Sequence, residues 1–465
     1  MSMLKLLVVL GLAIFPAWAS EETLAFGRFG AVTVYRAKAQ PAHVAIFVSG
    51  DGGWNKGVVD MARELAGLDV LVAGVDIRRY LKALAGSPEP CVYPASDFEA
   101  LGQFIQKHDG FSDYHPPVLV GYSSGATLVY ALLVQAPPGT FKGALSLGFC
   151  PDLALSKPFC KGSGLAFVPG PKGKGVVFLP AARLESPWIA LQGEADQVCD
   201  PPSTERFVGQ VKGASVVLLP KVGHGYAVPA NWMPQFKQAF GRIAGSGGAA
   251  SVPDTPVGDL PLVEVPAKGP EKDALAVVLS GDGGWTSLDK EVGGALAARG
   301  YPVVGLNSLQ YFWKARTPDS AAHDLERILE HYLPAWKKRR AVLIGYSYGA
   351  DVLPFMANRL PPGLRAQVPL TVLIGPSRSV AFEFHVAEWL GASSGKELPV
   401  LPEVRKLRGA RILCLYGEGE KDSLCRELDP GLARLVALPG AHHFGGDYNA
   451  LAEAIIRELE EGQAP

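Results

Sequence analysis

Short, uninterrupted runs of apolar residues recur along this chain. In the second half they are rich in Val, Ile and Leu, are bounded by Gly, Pro or Asp, and cover residues 275–280, 302–306, 341–345, 370–375, 411–416 and 434–438. Continuous apolar runs of this length are typical of strands buried on both faces of a parallel sheet. Amphipathic stretches such as 321–333 lie between them and predict helices. This alternation predicts an α/β fold, a mostly parallel sheet with helices on both faces.

The pattern occurs twice, and four landmarks recur in the same order. VSGDGGW at 48–54 returns as LSGDGGW at 279–285, and GYSSGA at 121–126 returns as GYSYGA at 345–350. DQVC at 196–199 returns as DSLC at 422–425, and a Leu-Pro pair with a following histidine starts at 219 and again at 438. The offsets drift between 219 and 231 residues, which indicates a tandem duplication with loop changes and excludes a short-period solenoid.

The duplication predicts two domains, at 21–244 and 258–465, joined by a linker at 245–257 that is rich in Gly, Ala and Pro. Residues 1–19 are typical of a secretory signal peptide, because Lys5 precedes an apolar stretch at 6–15 and a small-x-small motif ending at Ala19. We expect cleavage after Ala19 and an exported mature protein. No later segment offers about 20 uninterrupted apolar residues, so a soluble mature chain is expected.

Composition narrows the possible functions. The net charge of −1 argues against nucleic-acid binding, which requires a broad basic surface. Six cysteines in an exported chain predict disulfides, with Cys414–Cys425 as the best single pair. The other four, Cys91, Cys150, Cys160 and Cys199, allow three pairings that the sequence does not distinguish. No CxxC motif occurs, and we expect neither a metal nor an organic cofactor.

The repeated G-x-S-x-G motif is typical of a nucleophile elbow, because an apolar run precedes each copy and a helical stretch follows it. The fold class is therefore predicted as two tandem α/β-hydrolase-fold domains. A nucleophilic serine requires a base and an orienting acid, which follow it in chain order in this fold. The second half supplies Ser347, Asp422 and His443, and the first half supplies Ser123, Asp196 and His224.

Alternatives exist for the second half. His442 competes with His443 as the base, and we favour His443 because it lies five residues past Leu438, as His224 lies five past Leu219. Glu418 and Glu420 compete as the acid with Asp422, which the match between DQVC and DSLC favours.

The SGDGGW segment follows the first apolar run of each domain, where this fold takes one of its oxyanion-hole amides. In the second domain we expect the N–H of Asp282 or Gly283 to act with that of Tyr348. Asp282 and Asp351 are also candidates to bind a cationic group of the substrate at the mouth of the site.

LSGDGGW, IGYSYGAD and the segment from Glu420 to Cys425 with a following HHF resemble the AcvB/VirJ family of exported virulence-associated proteins. The resemblance covers the whole mature chain and implies two α/β-hydrolase domains, of which the second is the minimal unit. It also implies a periplasmic location and hydrolysis of aminoacyl-phosphatidylglycerol, chiefly lysyl and in some relatives alanyl. Ser347, Asp422 and His443 would carry the reaction, and the lipid substrate would require transient contact with a membrane surface.

Two other functions fit the sequence. A hydrolase-like binding protein could support secretion or envelope assembly, although two complete triads argue against a pure scaffold. A general serine esterase or lipase would share the chemistry, but no broad apolar lid is evident. The amino acid removed, the activity of the first domain, the oligomeric state and any protein partner stay open.

Overall fold

The computed structural model describes residues 20–36, 41–245, 255–285, 287–384, 397–407, 411–444 and 448–461. The predicted signal peptide at 1–19 and most of the predicted linker lie outside these residues. No helix within the described ranges is both long and apolar enough to span a bilayer.

The first half is built on eleven strands, of which eight form one sheet. The strands are β1 (Ser20–Phe26), β2 (Gly30–Arg36), β3 (His43–Val48), β4 (Val70–Val75), β5 (Val118–Tyr122), β6 (Gly143–Leu147), β7 (Asp152–Leu153), β8 (Phe167–Pro169), β9 (Val176–Phe178), β10 (Arg183–Gly193) and β11 (Lys212–Leu219). The main sheet has the order β1-β2-β4-β3-β5-β6-β10-β11, and β7, β9 and β8 form a small separate sheet. In this order the strands from β4 to β11 pair in parallel. The pairs β1–β2 and β2–β4 are antiparallel, so β2 is the reversed strand of this sheet.

The second half repeats this arrangement with seven strands in its main sheet. Its strands are β12 (Leu262–Val265), β13 (Ala274–Leu279), β14 (Val303–Leu306), β15 (Arg340–Tyr346), β16 (Leu370–Ile374), β17 (Ser379–Val380), β18 (Leu398–Pro399), β19 (Arg411–Gly417) and β20 (Arg434–Leu438). The order β12-β14-β13-β15-β16-β19-β20 is parallel except at β12, and β17 pairs with β18. The predicted apolar runs of this half are strands, which confirms the parallel α/β architecture.

Helices cover both faces of each main sheet. In the first half they are α1 (Lys56–Ala66), α2 (Ile77–Ala85), α3 (Pro94–His108), α4 (Ser124–Gln135), α5 (Pro201–Gly209) and α6 (Met233–Gly245). In the second they are α7 (Ser287–Ala298), α8 (Ser308–Tyr311), α9 (Pro318–Ala335), α10 (Tyr348–Asn358), α11 (Pro362–Arg365), α12 (Val400–Val404) and α13 (Tyr448–Glu461). Single 3-10 turns occur at Gly27–Phe29, Pro171–Gly173, Pro229–Asn231 and Leu424–Glu427. Each sheet thus separates two apolar clusters, one on each face.

Three disulfides connect the cysteines. Cys414–Cys425 forms as predicted, and the first half uses the pairing Cys91–Cys160 with Cys150–Cys199. The second of these pairs joins the segment after β6 to the loop after β10, which are neighbours at the carboxyl edge of the first sheet.

The two halves pack against each other through α3 and the segment that follows it. The indole N–H of Trp313 donates to the carbonyl of Phe111 at 2.9 Å, and the Lys107 ammonium lies 4.8 Å from the centre of the Trp313 ring. Tyr114 of the first half is buried within the apolar cluster of the second. The first half therefore forms part of the surroundings of the second.

Candidate active site

Both predicted elbows are present. Ser123 lies between β5 and α4 with a φ of 56°, and Ser347 lies between β15 and α10 with a φ of 50°. This left-handed backbone conformation is sterically costly for a residue with a side chain and is held by the turn around it. The flanking glycines make the turn possible, since a Cβ on Gly349 would lie 2.2 Å from the carbonyl oxygen of Leu279. Each serine is consequently raised at the carboxyl edge of its sheet.

In the second half, the structure brings Ser347, His442 and Glu420 together. Ser347 Oγ is 2.8 Å from His442 Nε2, and His442 Nδ1 is 2.5 Å from Glu420 Oε1. This is the nucleophile, base and acid arrangement of a serine hydrolase. The assignment of His443 and Asp422 to these positions is wrong in the geometry, and the alternatives His442 and Glu420 take their place.

The two displaced residues have other contacts. His443 Nδ1 is 2.9 Å from the hydroxyl of Tyr346. Burial lowers the pKa of His443, and the charge of the neighbouring His442 lowers it further. Asp422 is on the surface, where 92% of its side chain is exposed and its nearest ion-pair partner is Arg378 at 3.5 Å. Neither of these described residues is hydrogen-bonded to Ser347.

A one-residue difference in loop length explains the displaced histidine. From the end of β11 to His224 the chain advances five residues, whereas from the end of β20 to His442 it advances four. A better landmark is the aromatic residue two positions after the histidine. Tyr226 and Phe444 both have positive φ, at 48° and 51°, so H-G-Y corresponds to H-H-F.

A similar landmark locates the acid. Gly193 and Gly417 end their strands, and a Cβ on either would lie within 2.3 Å of a carbonyl of the histidine loop. Asp196 and Glu420 each come three residues later, in GEAD and GEGE. The resemblance of DQVC to DSLC had no structural basis, since Cys199 bonds to Cys150 and Cys425 to Cys414.

The charges of the second triad support each other. The hydrogen bond and charge of Glu420 raise the pKa of His442, against the opposing effect of burial. Burial by itself would raise the pKa of Glu420, but the hydrogen bond and charge of His442 outweigh it, so this pKa is lowered. Gly375 leaves room for the imidazole, since a Cβ there would lie 3.0 Å from the His442 ring. Its φ of +58° is a second reason why glycine suits this position.

The first half contains the arrangement that the sequence predicts. Ser123 Oγ is 2.9 Å from His224 Nε2, and His224 Nδ1 is 2.9 Å from Asp196 Oδ2. Asp196 is buried and accepts further hydrogen bonds from the side chain of Gln192 and the backbone N–H groups of Val198 and Cys199. The geometry is complete in both halves.

The SGDGGW turn lies against the nucleophile. A Cβ on Gly281 would be 3.5 Å from the Cβ of Ser347, and the Gly284 N–H closes the turn by donating to the Gly281 carbonyl at 3.1 Å. Tyr348 starts α10, and a helix does not use the N–H groups of its own first turn. Gly281 of the turn and Tyr348, which follows the nucleophile in the chain, therefore lie beside Ser347. The action of the Asp282, Gly283 and Tyr348 amides on an oxyanion stays a prediction.

The halves differ in the environment of the turn's aspartate. Asp51 of the first half accepts a hydrogen bond from Ser124 Oγ at 2.7 Å. In the second half Tyr348 replaces Ser124 and donates instead to the carbonyl of Ala381. Asp282 is exposed and makes no hydrogen bond or ion pair to any described residue. Asp282 is consequently a carboxylate near the triad that has no partner among the described residues.

Asp351 is not at the mouth of the site as expected. It is 4% exposed and accepts a hydrogen bond from the Ser377 N–H at 2.6 Å. Burial raises its pKa well above the usual carboxyl range, with hydrogen bonds from Ser377 acting in the opposite direction. Its position in the first half is occupied by Thr127, which donates to the Cys150 carbonyl. Both residues anchor the segment after the neighbouring strand, and only Asp282 of the predicted pair faces solvent.

One group of potential metal ligands lies in the described part of the chain, formed by Asp196, Cys199 and His224. Cys199 is in a disulfide and offers no thiolate, while His224 and Asp196 are bonded to each other. These residues therefore do not fit a metal centre, because metals bind cysteine as the thiolate.

The fold and these triads define an α/β serine hydrolase. The sequence model described as "Bacterial virulence protein (VirJ)" matches residues 42–145 and 273–463, which is more than half of the chain. The protein belongs to this VirJ family. The match includes nearly all of the second half but less than half of the first. No curated protein matches the sequence.

Solved structures resemble single halves of the chain. One is XC6422 from Xanthomonas campestris, an α/β serine hydrolase without a lid, with 20% identity, a TM-score of 0.32 and coverage of 49% of this chain and 94% of that one. Another is the esterase domain of a Rhodothermus marinus protein, with 16% identity and a TM-score of 0.33, where the match covers 48% of this chain and 97% of that one. A third is a dienelactone hydrolase of Klebsiella pneumoniae, described as putative, with 15% identity, a TM-score of 0.35 and coverage of 49% and 98%.

Proposed function

We propose that this protein is a periplasmic serine esterase that hydrolyses the aminoacyl ester of aminoacyl-phosphatidylglycerol, with lysyl or alanyl as the aminoacyl group. The observation that carries the proposal is the Ser347–His442–Glu420 triad near Asp282, whose carboxylate makes no hydrogen bond or ion pair with a described residue. A serine triad cleaves an activated ester, and a free carboxylate next to it suits a substrate with an ammonium group beside the reacting carbonyl.

The reaction proceeds in two halves. Ser347 Oγ attacks the aminoacyl carbonyl carbon while its proton passes to His442 Nε2, and Glu420 stabilises the resulting imidazolium. The ester C–O bond then breaks, the phosphatidylglycerol oxygen takes the proton from His442, and the aminoacyl group remains on Ser347. Water attacks this second ester, gives a proton to His442 and releases the amino acid, after which the proton returns to Ser347. The amides of Tyr348 and the SGDGGW turn would hold the oxyanion.

The second half is assigned the main activity. The VirJ family model covers nearly all of it. Asp282 there has no partner in the described part of the chain, whereas Asp51 of the first half accepts a hydrogen bond from Ser124. The first triad is complete, so a second esterase site in the first half is part of the test. Three disulfides suit an oxidising compartment such as the periplasm.

Transient contact with a membrane surface belongs to the proposal, since the substrate is a lipid. Val198 and Val228 are 67% and 55% exposed, and they lie in the loops that carry Asp196 and His224. They are the two most exposed large apolar side chains in the described part of the chain, and we propose them as a lipid contact of the first half. Replacing both with Asp should weaken co-sedimentation with phosphatidylglycerol vesicles, and unchanged binding would place the lipid contact elsewhere.

The experiment that tests the function is release of amino acid from lysyl- and alanyl-phosphatidylglycerol vesicles by the mature protein. Wild type, Ser347→Ala, Ser123→Ala and the double variant are compared. We expect release that depends chiefly on Ser347. A folded wild type that releases amino acid from neither lipid would overturn the proposal and favour a hydrolase-like binding protein.

A further inference from the structure

A pocket of about 220 Å³ lies between the two halves, beside the SGDGGW turn of the second. The first half contributes Glu99 of α3 and Tyr114, and the second contributes Gly283 and Asn307. The pocket is large enough for a side chain of the length of lysine. It belongs to neither half alone.

Two of its polar groups have no partner among the residues that the structure describes. Glu99 makes no hydrogen bond or ion pair within the described ranges, and its half-buried side chain lines the pocket. The Tyr114 hydroxyl is buried and also unpaired, on a residue that is only 9% exposed. Buried polar groups without partners are costly, so such a pair at a pocket indicates a ligand that satisfies both.

The electrostatics of the pocket favour a cation. Burial and then the charge of Asp282 raise the pKa of Glu99 to about 8, so this carboxyl lacks a counter-charge. Lys290 also lines the pocket, but its ammonium donates to the Pro138 carbonyl at 2.7 Å and forms no ion pair with Glu99. Tyr114 adds no charge, since burial holds its pKa well above the usual value.

One loop connects the pocket with the triad. Gly281 of the turn lies against Ser347, while Gly283 lines the pocket. Between them, Asp282 acts electrostatically on His442 of the triad and on Glu99 of the pocket. Asp282 is thus within electrostatic reach of both the triad and the pocket.

The first half shows what can occupy the equivalent position. There the guanidinium of Arg78 lies over Gly53, where an added Cβ would be 1.9 Å from Nη2, and it pairs with Asp76 at 3.0 Å. The two halves can be aligned here, because the Ile77 N–H donates to Ser49 Oγ in the first half and the Ser308 N–H donates to Ser280 Oγ in the second. By this alignment Asn307 takes the place of Asp76, and Leu309 takes the place of Arg78. A cation of the protein covers Gly53 in the first half. In the second half the neutral Asn307 side chain lies over the corresponding Gly284, where an added Cβ would be 2.8 Å from Oδ1, and the pocket opens beside it.

We propose that this pocket binds the side-chain ammonium of a lysine-type aminoacyl group through Glu99 and Tyr114, so that the first half determines the specificity of the second. The proposal rests on the proposed function for the identity of the substrate. Asp282 would bind the α-ammonium that all aminoacyl esters share, and Glu99 the ammonium that only the longer basic residues possess.

The kinetic test compares Glu99→Gln and Tyr114→Phe with wild type on lysyl- and alanyl-phosphatidylglycerol. We expect Glu99→Gln to lower kcat/KM for the lysyl lipid by about tenfold or more, because a charge-assisted bond is lost, and to change the alanyl value by less than about twofold. Tyr114→Phe should act in the same direction with a smaller loss. Glu205→Gln is the matched control, since Glu205 is exposed on α5 and makes no hydrogen bond with any residue that the structure describes. Equal losses on both lipids, or no loss on the lysyl lipid, would overturn the assignment.

A binding measurement separates this proposal from the proposed function. L-lysine amide is titrated calorimetrically into the full chain carrying Ser347→Ala, with L-alanine amide as the control ligand. We expect lysine amide to bind and to release a proton from the protein at pH 7. The substitution Glu99→Gln should abolish the binding and the proton release.

If wild type hydrolyses neither lipid but the binding of lysine amide depends on Glu99, the pocket proposal is supported and the esterase function is overturned. No Glu99-dependent binding in an enzyme that hydrolyses both lipids would overturn the pocket. Tighter binding of free L-lysine than of its amide would instead indicate a site for the free amino acid, and would also overturn it.

Discussion

His442 Nε2 lies 2.8 Å from Ser347 Oγ, while the adjacent His443 is bonded to the hydroxyl of Tyr346. The two histidines are neighbours in the chain but have different partners, and the planes of their rings are 73° apart. One is the base of the candidate triad, and the other supports the tyrosine that precedes the nucleophile. Their separate contacts make their roles experimentally distinguishable.

Replacing each histidine by Ala in a Ser123→Ala background tests this distinction. His442→Ala should reduce kcat for aminoacyl-ester hydrolysis by at least about 10³-fold, since the serine loses its base. His443→Ala removes only a contact to Tyr346 and should cost less than about tenfold. Steady-state amino-acid release measures both. The greater loss in His443→Ala would show that the observed geometry is not the catalytic one.

The acid can be tested in the same way. Glu420→Gln keeps the size of the side chain but removes the charge that orients and stabilises the imidazolium, and we expect a loss of about 10²- to 10⁴-fold in kcat. Asp422→Asn alters a side chain that is 92% exposed, and its activity should stay within about twofold of wild type. Thermal melting of both variants controls for folding. Comparable losses in the two would contradict the assignment of Glu420.

Much of this architecture is predictable from the sequence, because strands buried on both faces produce continuous apolar runs and the elbow requires glycines at fixed positions. The triad of the first half is predictable for the same reason, since its residues follow the expected strands in order. The second triad is harder, because the single-residue deletion before His442 moves the base by one position without changing residue types.

The pocket between the halves could not be predicted. Glu99 lies on an ordinary amphipathic helix of the first half and gains its significance only from the packing of that helix beside Gly283. Asp351 presents the opposite case. Its position one turn into α10 suggested access to the substrate, yet the structure buries it under the segment that begins after β16.

The pH dependence follows from the coupled pair His442 and Glu420. His442 must be neutral to accept the proton of Ser347, and its bond to Glu420 raises its pKa above the ordinary value of 6.5. The rate should therefore fall as pH decreases through a midpoint above 6.5. The profile of kcat/KM in the Ser123→Ala background measures this midpoint, since it reports the free enzyme. The residual activity of Glu420→Gln should show a lower midpoint, and a wild-type midpoint below 6.5 would contradict the coupling.

The disulfide Cys150–Cys199 should matter for the first site more than for the second. Cys199 donates its backbone N–H to Asp196, so the bond holds the loop that orients His224. Replacing both cysteines by Ala opens a crosslink between residues 49 positions apart, which should lower the free energy of unfolding by about 2–4 kcal/mol. Labelling of Ser123 by a fluorophosphonate, measured in a Ser347→Ala background, should slow by about tenfold or more.

The matched control for this prediction is the double replacement of Cys91 and Cys160. That disulfide closes a loop of similar size, with a separation of 69, but it contacts no residue of the triad. Replacing Cys91 and Cys160 should lower the free energy of unfolding by a similar amount. The rate of Ser123 labelling should stay within about twofold of that in the Ser347→Ala protein, because the hydrogen bonds to Asp196 remain. Equal slowing in both double variants would mean that general destabilisation, and not the position of Asp196, controls the reactivity of Ser123. Labelling of Ser347 in a Ser123→Ala background should be unaffected by either pair, since both bonds lie in the first half.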